Sequence, residues 1–238
     1  MSNKQRSWLV IPASKADAIA LAAKSGADVI VLDLVEFVRG EQKSSAREKM
    51  RAAIEAVRAN GAQVYAQIDP QHHETDLRAC VWPGLSGVVV SRAESAAQIA
   101  TIDTVLFLLE KDRGLAAGST AMVLSLETAR GNQDAYDIAT ASQRVRALTL
   151  GRADLAMDLR PEPSGEIHLL PYLMQRLVII ARAIGVTPLG AWWRAPDRGL
   201  LATAENTLQA AKRGRAAGFK GALCLRADQI EPLNQIYA

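Results

Sequence analysis

Aromatic residues are scarce: Phe, Trp and Tyr make up only 5% of the 238 residues. The core therefore has to be built from Ala, Val, Leu and Ile. Cysteine is scarcer still, at two, Cys80 and Cys224. Two isolated cysteines fit neither a disulfide framework nor a zinc site, which needs clustered ligands, so both read as buried small apolar residues. No apolar run approaches the ~18 residues a membrane helix needs. The start, Met1-Ser2-Asn3-Lys4-Gln5-Arg6, leads into only a short apolar stretch without a secretory pattern. The expectation is a cytoplasmic protein with no membrane partner. A strong excess of one charge is missing too, with 28 Lys and Arg against 25 Asp and Glu. The densest basic run, Lys212-Arg213-Gly214-Arg215, lies inside a helical pattern and reads as a solvated helix face rather than a nucleic-acid patch. No linker, low-complexity tract or composition break divides the chain, which reads as one domain over residues 1–238.

What is there is an alternation of short apolar runs and helix-period stretches from end to end. The runs are Trp8–Ile11, Asp28–Leu34, Gln63–Ile68, Gly87–Ser91, Ala121–Leu126, Ala147–Leu150, a weaker Thr187–Trp193, and Ala222–Leu225. Several are apolar on both faces, as parallel strands covered by helices are. Between them lie helical stretches. Ser14 is placed to cap the first, with Asp17 in a capping-box position and Gly26 closing it. Ser44 or Ser45 is placed to cap the second, whose Ala46, Met50, Ile54 and Val57 form one stripe. Longer helices read from Ser95 to Leu115, from about Leu169 to Ile184, and from Thr203 to Ala217. Arg160-Pro161-Glu162-Pro163-Ser164-Gly165 reads as a loop after the sixth run. Eight strands alternating with helices, at about 30 residues per unit, predict an α/β chain forming a single (β/α)8 TIM barrel. A doubly wound open sheet is the alternative. It would want a Gly-rich fingerprint after an early strand, and Pro12-Ala13-Ser14-Lys15 offers none.

In such a barrel the chemistry collects at the C-terminal ends of the strands. There the sequence places Asp33 and Glu36, Gln67 and Asp69, Arg92 and Glu94, Glu127 and Arg130, and Asp154. Glu127 and Asp154 are 27 residues apart, about one strand–helix unit, and so take equivalent places on neighbouring strands. Adjacent strands lie about 5 Å apart, which lets both carboxylates reach one hard cation such as Mg²⁺. Spacing alone leaves open the alternative that each acid caps a helix or pairs with an Arg. His72-His73 reads as a solvated loop pair, His168 as a surface residue, and Trp192-Trp193 as packing beneath a loop. No Ser–His or Cys–His pair stands at strand ends, so nucleophilic acyl transfer has little support.

The motifs at these strand ends resemble those of the citrate lyase beta subunit family, the metal-dependent aldolases and acyl-CoA lyases related to malyl-CoA lyase. Arg6-Ser7-Trp8-Leu9-Val10-Ile11-Pro12 is similar to R-S-x-L-F-V-P-G, and Gly26 to Leu34 to G-A-D-x-x-x-L-D-L-E-D. Arg92-Ala93-Glu94-Ser95 is similar to P-K-x-E-S, and Leu126-Glu127-Thr128-Ala129-Arg130-Gly131 to I-E-T-A-R-G. Gly151-Arg152-Ala153-Asp154-Leu155-Ala156-Met157-Asp158-Leu159 is similar to G-x-x-D-L-x-x-D-L-G, and Gly218 to Leu225 to G-F-D-G-K-x-C-I. The resemblance implies a TIM barrel whose Mg²⁺ is held by Glu127 and Asp154. It implies a 2-oxo acid that chelates the metal, with stabilisation of the enolate formed as a C–C bond is made or broken. It assigns catalytic roles to Glu36 and Arg92, and substrate contacts to Asp33, Gln67, Arg130 and the backbone near Gly151 and Ala153. A CoA thioester is the second substrate class it implies, and a homo-oligomer, a trimer or a multiple of one, the assembly.

The departures from the family pattern are specific. V-R-V-N-P, whose Arg grips a substrate carboxylate, is here Ala66-Gln67-Ile68-Asp69-Pro70, and Gln67 offers no charged bidentate donor. D-L-E-D is here Asp33-Leu34-Val35-Glu36, with one acid lost and the other longer by a methylene. The Lys of P-K-x-E-S is Arg92, and C-I-H-P is Cys224-Leu225-Arg226-Ala227. Family members continue with a segment that closes over a neighbouring subunit's site, and the sequence here ends at Ala238. Two functions follow: a metal-dependent carbon–carbon lyase with an altered substrate site, for which Arg92 or Arg130 replaces the lost grip, or a lyase-inactive barrel with a binding or regulatory role.

Overall fold

Parallel pairing runs unbroken around the molecule, each strand bonded to the next in sequence and the eighth to the first. The computed structural model describes residues 4–159, 170–191 and 203–238. The strands are β1 Ser7–Pro12, β2 Val29–Asp33, β3 Gln63–Ile68, β4 Leu85–Val90, β5 Ala121–Leu126, β6 Val145–Leu150, β7 Thr187–Ala191 and β8 Gly221–Cys224. The helices between and after them are α1 Ala16–Ala23, α2 Lys43–Arg58, α3 His73–Cys80, α4 Ala96–Asp112, α5 Ala129–Gln133, α6 Ala135–Thr140, α7 Arg152–Leu159, α8 Leu170–Ile184, α9 Ala204–Ala217 and α10 Ile230–Ile236. The expected closed barrel is formed, and the open-sheet alternative fails on the β1–β8 pairing of Ser7, Trp8 and Leu9 with Ala222, Leu223 and Cys224. His168, Trp192, Trp193 and the Pro-rich loop at 160–165 lie outside the described residues.

The strand alternation sorts the core into two layers. Trp8, Val10, Val29, Val31, Tyr65, Val89, Val123, Ala147, Leu189 and Leu223 fill the barrel interior. Their neighbours in sequence, such as Leu9, Ile30, Leu32, Val88, Leu124 and Leu148, pack outward against the helices with Met50, Ile54, Ile102 and Leu106. Cys80 and Cys224 belong to this outer layer, buried as expected, and burial pushes the Cys224 thiol up to about 12. Two of the aromatics meet at the barrel floor, where the Trp8 and Tyr65 rings lie 4.7 Å apart. Gly87 makes their fit feasible, because a Cβ there would sit 2.5 Å from the Tyr65 ring. At the same end, the buried Arg144 guanidinium bridges Glu110 at 2.7 and 2.8 Å and Asp103 at 2.5 Å.

Two helix starts differ from the sequence expectation. The first helix begins after Lys15, with no side-chain cap, and the Ser14 hydroxyl is buried without a partner among the described residues. Ser44 and Ser45 lie inside α2, which begins at Lys43. A hydroxyl caps only where the backbone leaves it extended just before the first turn. That geometry occurs instead at Ser95, Thr128 and Thr203, which accept from the amides of Gln98, Gly131 and Asn206. His73 opens α3 rather than lying in a loop.

Candidate functional site

The polar side chains of the barrel interior gather at one end, where β2, β3, β4, β5 and β6 finish. Asp33 closes β2 and is fully buried. Its carboxylate accepts the backbone N–H groups of Val35, Glu36 and Phe37 at 2.9, 3.2 and 2.6 Å. Burial still holds its pKa above the ordinary range against those three donors. The effect is mechanical: the carboxylate ties down the turn after β2 and fixes where Glu36 leaves it. Glu36 itself is exposed, and its Oε1 accepts from Gln67 Nε2 at 3.3 Å. The same amide donates to Ser91 Oγ at 2.9 Å, so the side chains at the ends of β2, β3 and β4 are linked in one row.

On the far side of the mouth, Glu127 follows β5 and is 5% exposed. Its Oε2 accepts the backbone N–H of Arg92 at 3.1 Å. Arg92 holds a left-handed φ of 47°, uncommon for a side-chain-bearing residue, at the point where the chain turns after β4. The carboxyl of Glu127 is pushed up to about 8, first by burial and then by the charges of Glu36 and Asp154, against the Ser125 hydroxyl and the Arg92 amide. Asp154 stands in the first turn of α7 and is half-buried. One carboxylate oxygen from each of Glu36, Glu127 and Asp154 lies within 4.8 Å of the other two. Three hard oxygen donors converging from separate strands suit a divalent cation such as Mg²⁺. The raised pKa of Glu127 is the mark of negative charge crowded together and buried, which such a cation would offset.

The model of the HpcH/HpaI aldolase/citrate lyase family matches residues 6–227. The chain belongs to this family. Over its whole length it is 26% identical to the citrate lyase subunit beta of Leuconostoc mesenteroides subsp. cremoris, covering 79% of that protein. Over 98% of its length it is 25% identical to a (3S)-malyl-CoA thioesterase of Cereibacter sphaeroides, covering 77% of it. Among solved structures it is similar to the citrate lyase beta subunit of M. tuberculosis complexed with oxaloacetate and magnesium, at a TM-score of 0.74 and 23% identity over 99% of this chain and 97% of that one. A Haloferax volcanii malate synthase in a magnesium and glyoxylate complex aligns at a TM-score of 0.83 and 18% identity, over 98% of this chain and 75% of that one. These two structural likenesses concern the fold.

Of the residues that the family motifs single out, Glu36, Glu127 and Asp154 come together, and Gln67 touches the first of them. Asp33 is turned onto the backbone amides of the turn that carries Glu36. The Arg92 side chain is 62% exposed with Glu94 at 3.8 Å, and Arg130 is exposed on α5. The Gly151 amide donates to the Leu126 carbonyl at 3.3 Å, while Ala153 lies in the first turn of α7, where backbone N–H groups lack helical partners. Three further side chains bear on the cluster: Ser91 bonds Gln67, Ser125 bonds Glu127, and Asp158 is the second acid of the Gly151–Leu159 motif. Ser91 and Ser125 are small hydroxyl residues on interior strand positions, visible as polar breaks in apolar runs. Asp158 accepts the Ala129 N–H at 2.6 Å and so ties α7 to the turn that carries Glu127. Its signal was the second acid of the Asp154-Leu155-Ala156-Met157-Asp158 spacing.

Proposed function

We propose that this chain is a divalent-metal-dependent carbon–carbon lyase or aldolase acting on a small 2-oxo acid or a hydroxyacyl-CoA thioester, with a substrate site altered at Gln67. The observation that carries the reading is the convergence of Glu36, Glu127 and Asp154 within 4.8 Å at the barrel mouth. The family membership and the magnesium-bound neighbours support it.

Glu127 and Asp154 would hold the Mg²⁺. When bound, the ion supplies Lewis-acid stabilisation of negative charge developing on a substrate oxygen. The protein's own contribution is to place and protect. The Arg92 amide and the Ser125 hydroxyl fix Glu127. The Arg92 and Arg130 side chains, exposed at the rim, attract an anionic substrate, and the first-turn amides of α7 near Ala153 are oriented to receive its carboxylate. Gln67 stands where a family Arg grips a second carboxylate. With its amide hydrogens directed to Ser91 and Glu36, Gln67 has its carbonyl oxygen left for substrate, which suits an uncharged donor group at that point.

Calorimetric titration with Mg²⁺ tests the reading. Wild type is expected to bind one ion and Glu127→Ala none, and unchanged affinity in that variant would show the acids to be structural. A crystal soak with Mg²⁺ and oxaloacetate or pyruvate is expected to show the acid bound at the same cluster.

A further inference from the structure

Gln67 is 6% exposed and its amide nitrogen has two hydrogens, one for each of its two contacts. One is directed to Ser91 Oγ at 2.9 Å and the other to Glu36 Oε1 at 3.3 Å. The amide is thus anchored in the barrel interior through Ser91, with its remaining donor aimed at the one acid of the cluster that sits on an exposed turn. That turn is itself held by the three amide bonds to Asp33. A neutral donor orients a carboxylate without neutralising it, whereas an arginine at the same place would pair with its charge. So held, one carboxylate oxygen of Glu36 lies within 4.8 Å of one oxygen from each of Glu127 and Asp154.

A buried hydroxyl lies beside the strand that leads to Glu127. Thr149 is 2% exposed, faces the barrel interior two residues before Gly151, and pairs in register with Ser125, the hydroxyl neighbour of Glu127. Its hydroxyl has no partner among the described residues. A buried polar group of this kind is ordinarily satisfied by an ordered water or a ligand oxygen.

We propose that Gln67 is a positioning residue that holds Glu36 as a third carboxylate ligand of the divalent cation. The inference rests on the metal site proposed above and assigns the glutamine a task of its own, in place of the carboxylate grip of the family arginine. Three carboxylates leave fewer positions for water than the two of the family motif. They also favour a site that loads its cation tightly before substrate arrives.

The test is titration of the full chain with Mn²⁺ alone, followed by calorimetry and by the electron paramagnetic resonance signal of free Mn²⁺. Glu36→Gln removes a charge from an exposed turn and leaves the core untouched. It is expected to weaken Mn²⁺ binding by at least 10-fold. Gln67→Leu, and Gln67→Asn, which keeps the buried amide but shortens it, are each expected to weaken it by about 10- to 100-fold, the usual effect of losing a group that orients a ligand. In the Glu36→Gln background, either change at position 67 is expected to add nothing, because its effect passes through Glu36. Wild-type affinity in Glu36→Gln together with lost binding in Glu127→Ala would overturn the third ligand and leave the metal site standing. Wild-type affinity in Gln67→Asn, or losses at 36 and 67 that add in the double variant, would overturn the positioning role. Wild-type affinity in Glu127→Ala as well would bring down the metal site itself.

Discussion

A Cβ on residue 151 would stand 2.4 Å from Cγ of Glu127 and 3.2 Å from its carboxyl carbon. The glycine that follows β6 thus provides the space in which the buried acid after β5 lies. Real Cβ atoms do not approach a neighbour so closely, so any side chain at 151 has to displace Glu127.

Gly151→Ala is therefore expected to cost more in metal binding than in folding. Overpacking by one methyl at a buried site costs about 1–3 kcal/mol of stability. Mg²⁺ affinity should fall by at least 10-fold, because Glu127 is pushed off the Arg92 amide and out of the cluster. Calorimetry of binding alongside a thermal melt separates the two. A variant that melts early but binds normally would contradict the arrangement.

The raised carboxyl of Glu127 predicts a pH dependence of the metal-free protein. Its folded pKa of about 8 stands above the unfolded value of 4.5, so the native state binds the extra proton between those limits. Stability from this group falls as pH rises through that window. The melting temperature of the metal-free protein should decline from about pH 5 to pH 8, and Glu127→Gln should flatten the decline. Mg²⁺ affinity should rise over the same range, since the ligand has to lose its proton to bind. A Glu127→Gln variant with the wild-type slope would assign the decline to other groups.

Position 67 predicts substrate preference. A charge-assisted bond to a carboxylate is worth about 1.5–3 kcal/mol, or about 10- to 150-fold. Wild type is expected to turn over citryl-, malyl- and citramalyl-CoA poorly, and Gln67→Arg, assayed at saturating Mg²⁺ to offset any weaker metal binding, to raise kcat/KM on at least one of them within that range. Brisk wild-type turnover of any of the three would refute an altered site, and no gain in the variant would favour the lyase-inactive alternative.

The floor of the barrel supplies a prediction about stability alone. Arg144 and Glu110 have side chains 7% and 1% exposed and share two hydrogen bonds. Glu110 also accepts the amides of Gly118 and Thr120. Its carboxyl is held down to about 2, against burial, by Arg144 and those donors. Arg144→Met should cost about 3–5 kcal/mol by denaturant titration, because it strands a buried charge. The Glu110 contribution is complete above its unfolded pKa of 4.5 and is lost as pH falls towards 2. A loss under 1 kcal/mol in Arg144→Met would show the pair to be dispensable.

Much of this was legible without coordinates. β3 and β5 have the limits that their apolar runs predict, and the other strands differ by a few residues. The reason is that each run is buried on both faces, so its limits are set by where apolar character ends. Helix starts were read less well. Ser14, Ser44 and Ser45 have the right chemistry for caps, but a cap depends on the local backbone angle, which the residue type does not specify. The family motifs marked Glu127 and Asp154, since a single strand–helix repeat relates them.

The sequence by itself determined the alternation, the two-sided burial and hence the barrel, because hydrophobic period and burial are properties of consecutive residues. It also determined which acids fall at strand ends. Only the tertiary structure decided what those acids do. Asp33 and Glu36 stand three positions apart at the end of one strand, yet one is turned onto three backbone amides and the other faces Glu127 across the mouth. Closing eight strands into a narrow ring is what sets the ends of β2 and β5 opposite each other. That closure is a long-range event, whereas the contacts of Gln67 with Glu36 and of Gly151 with Glu127 join neighbouring strands and depend on the exact parallel register and on the turn that carries Glu36.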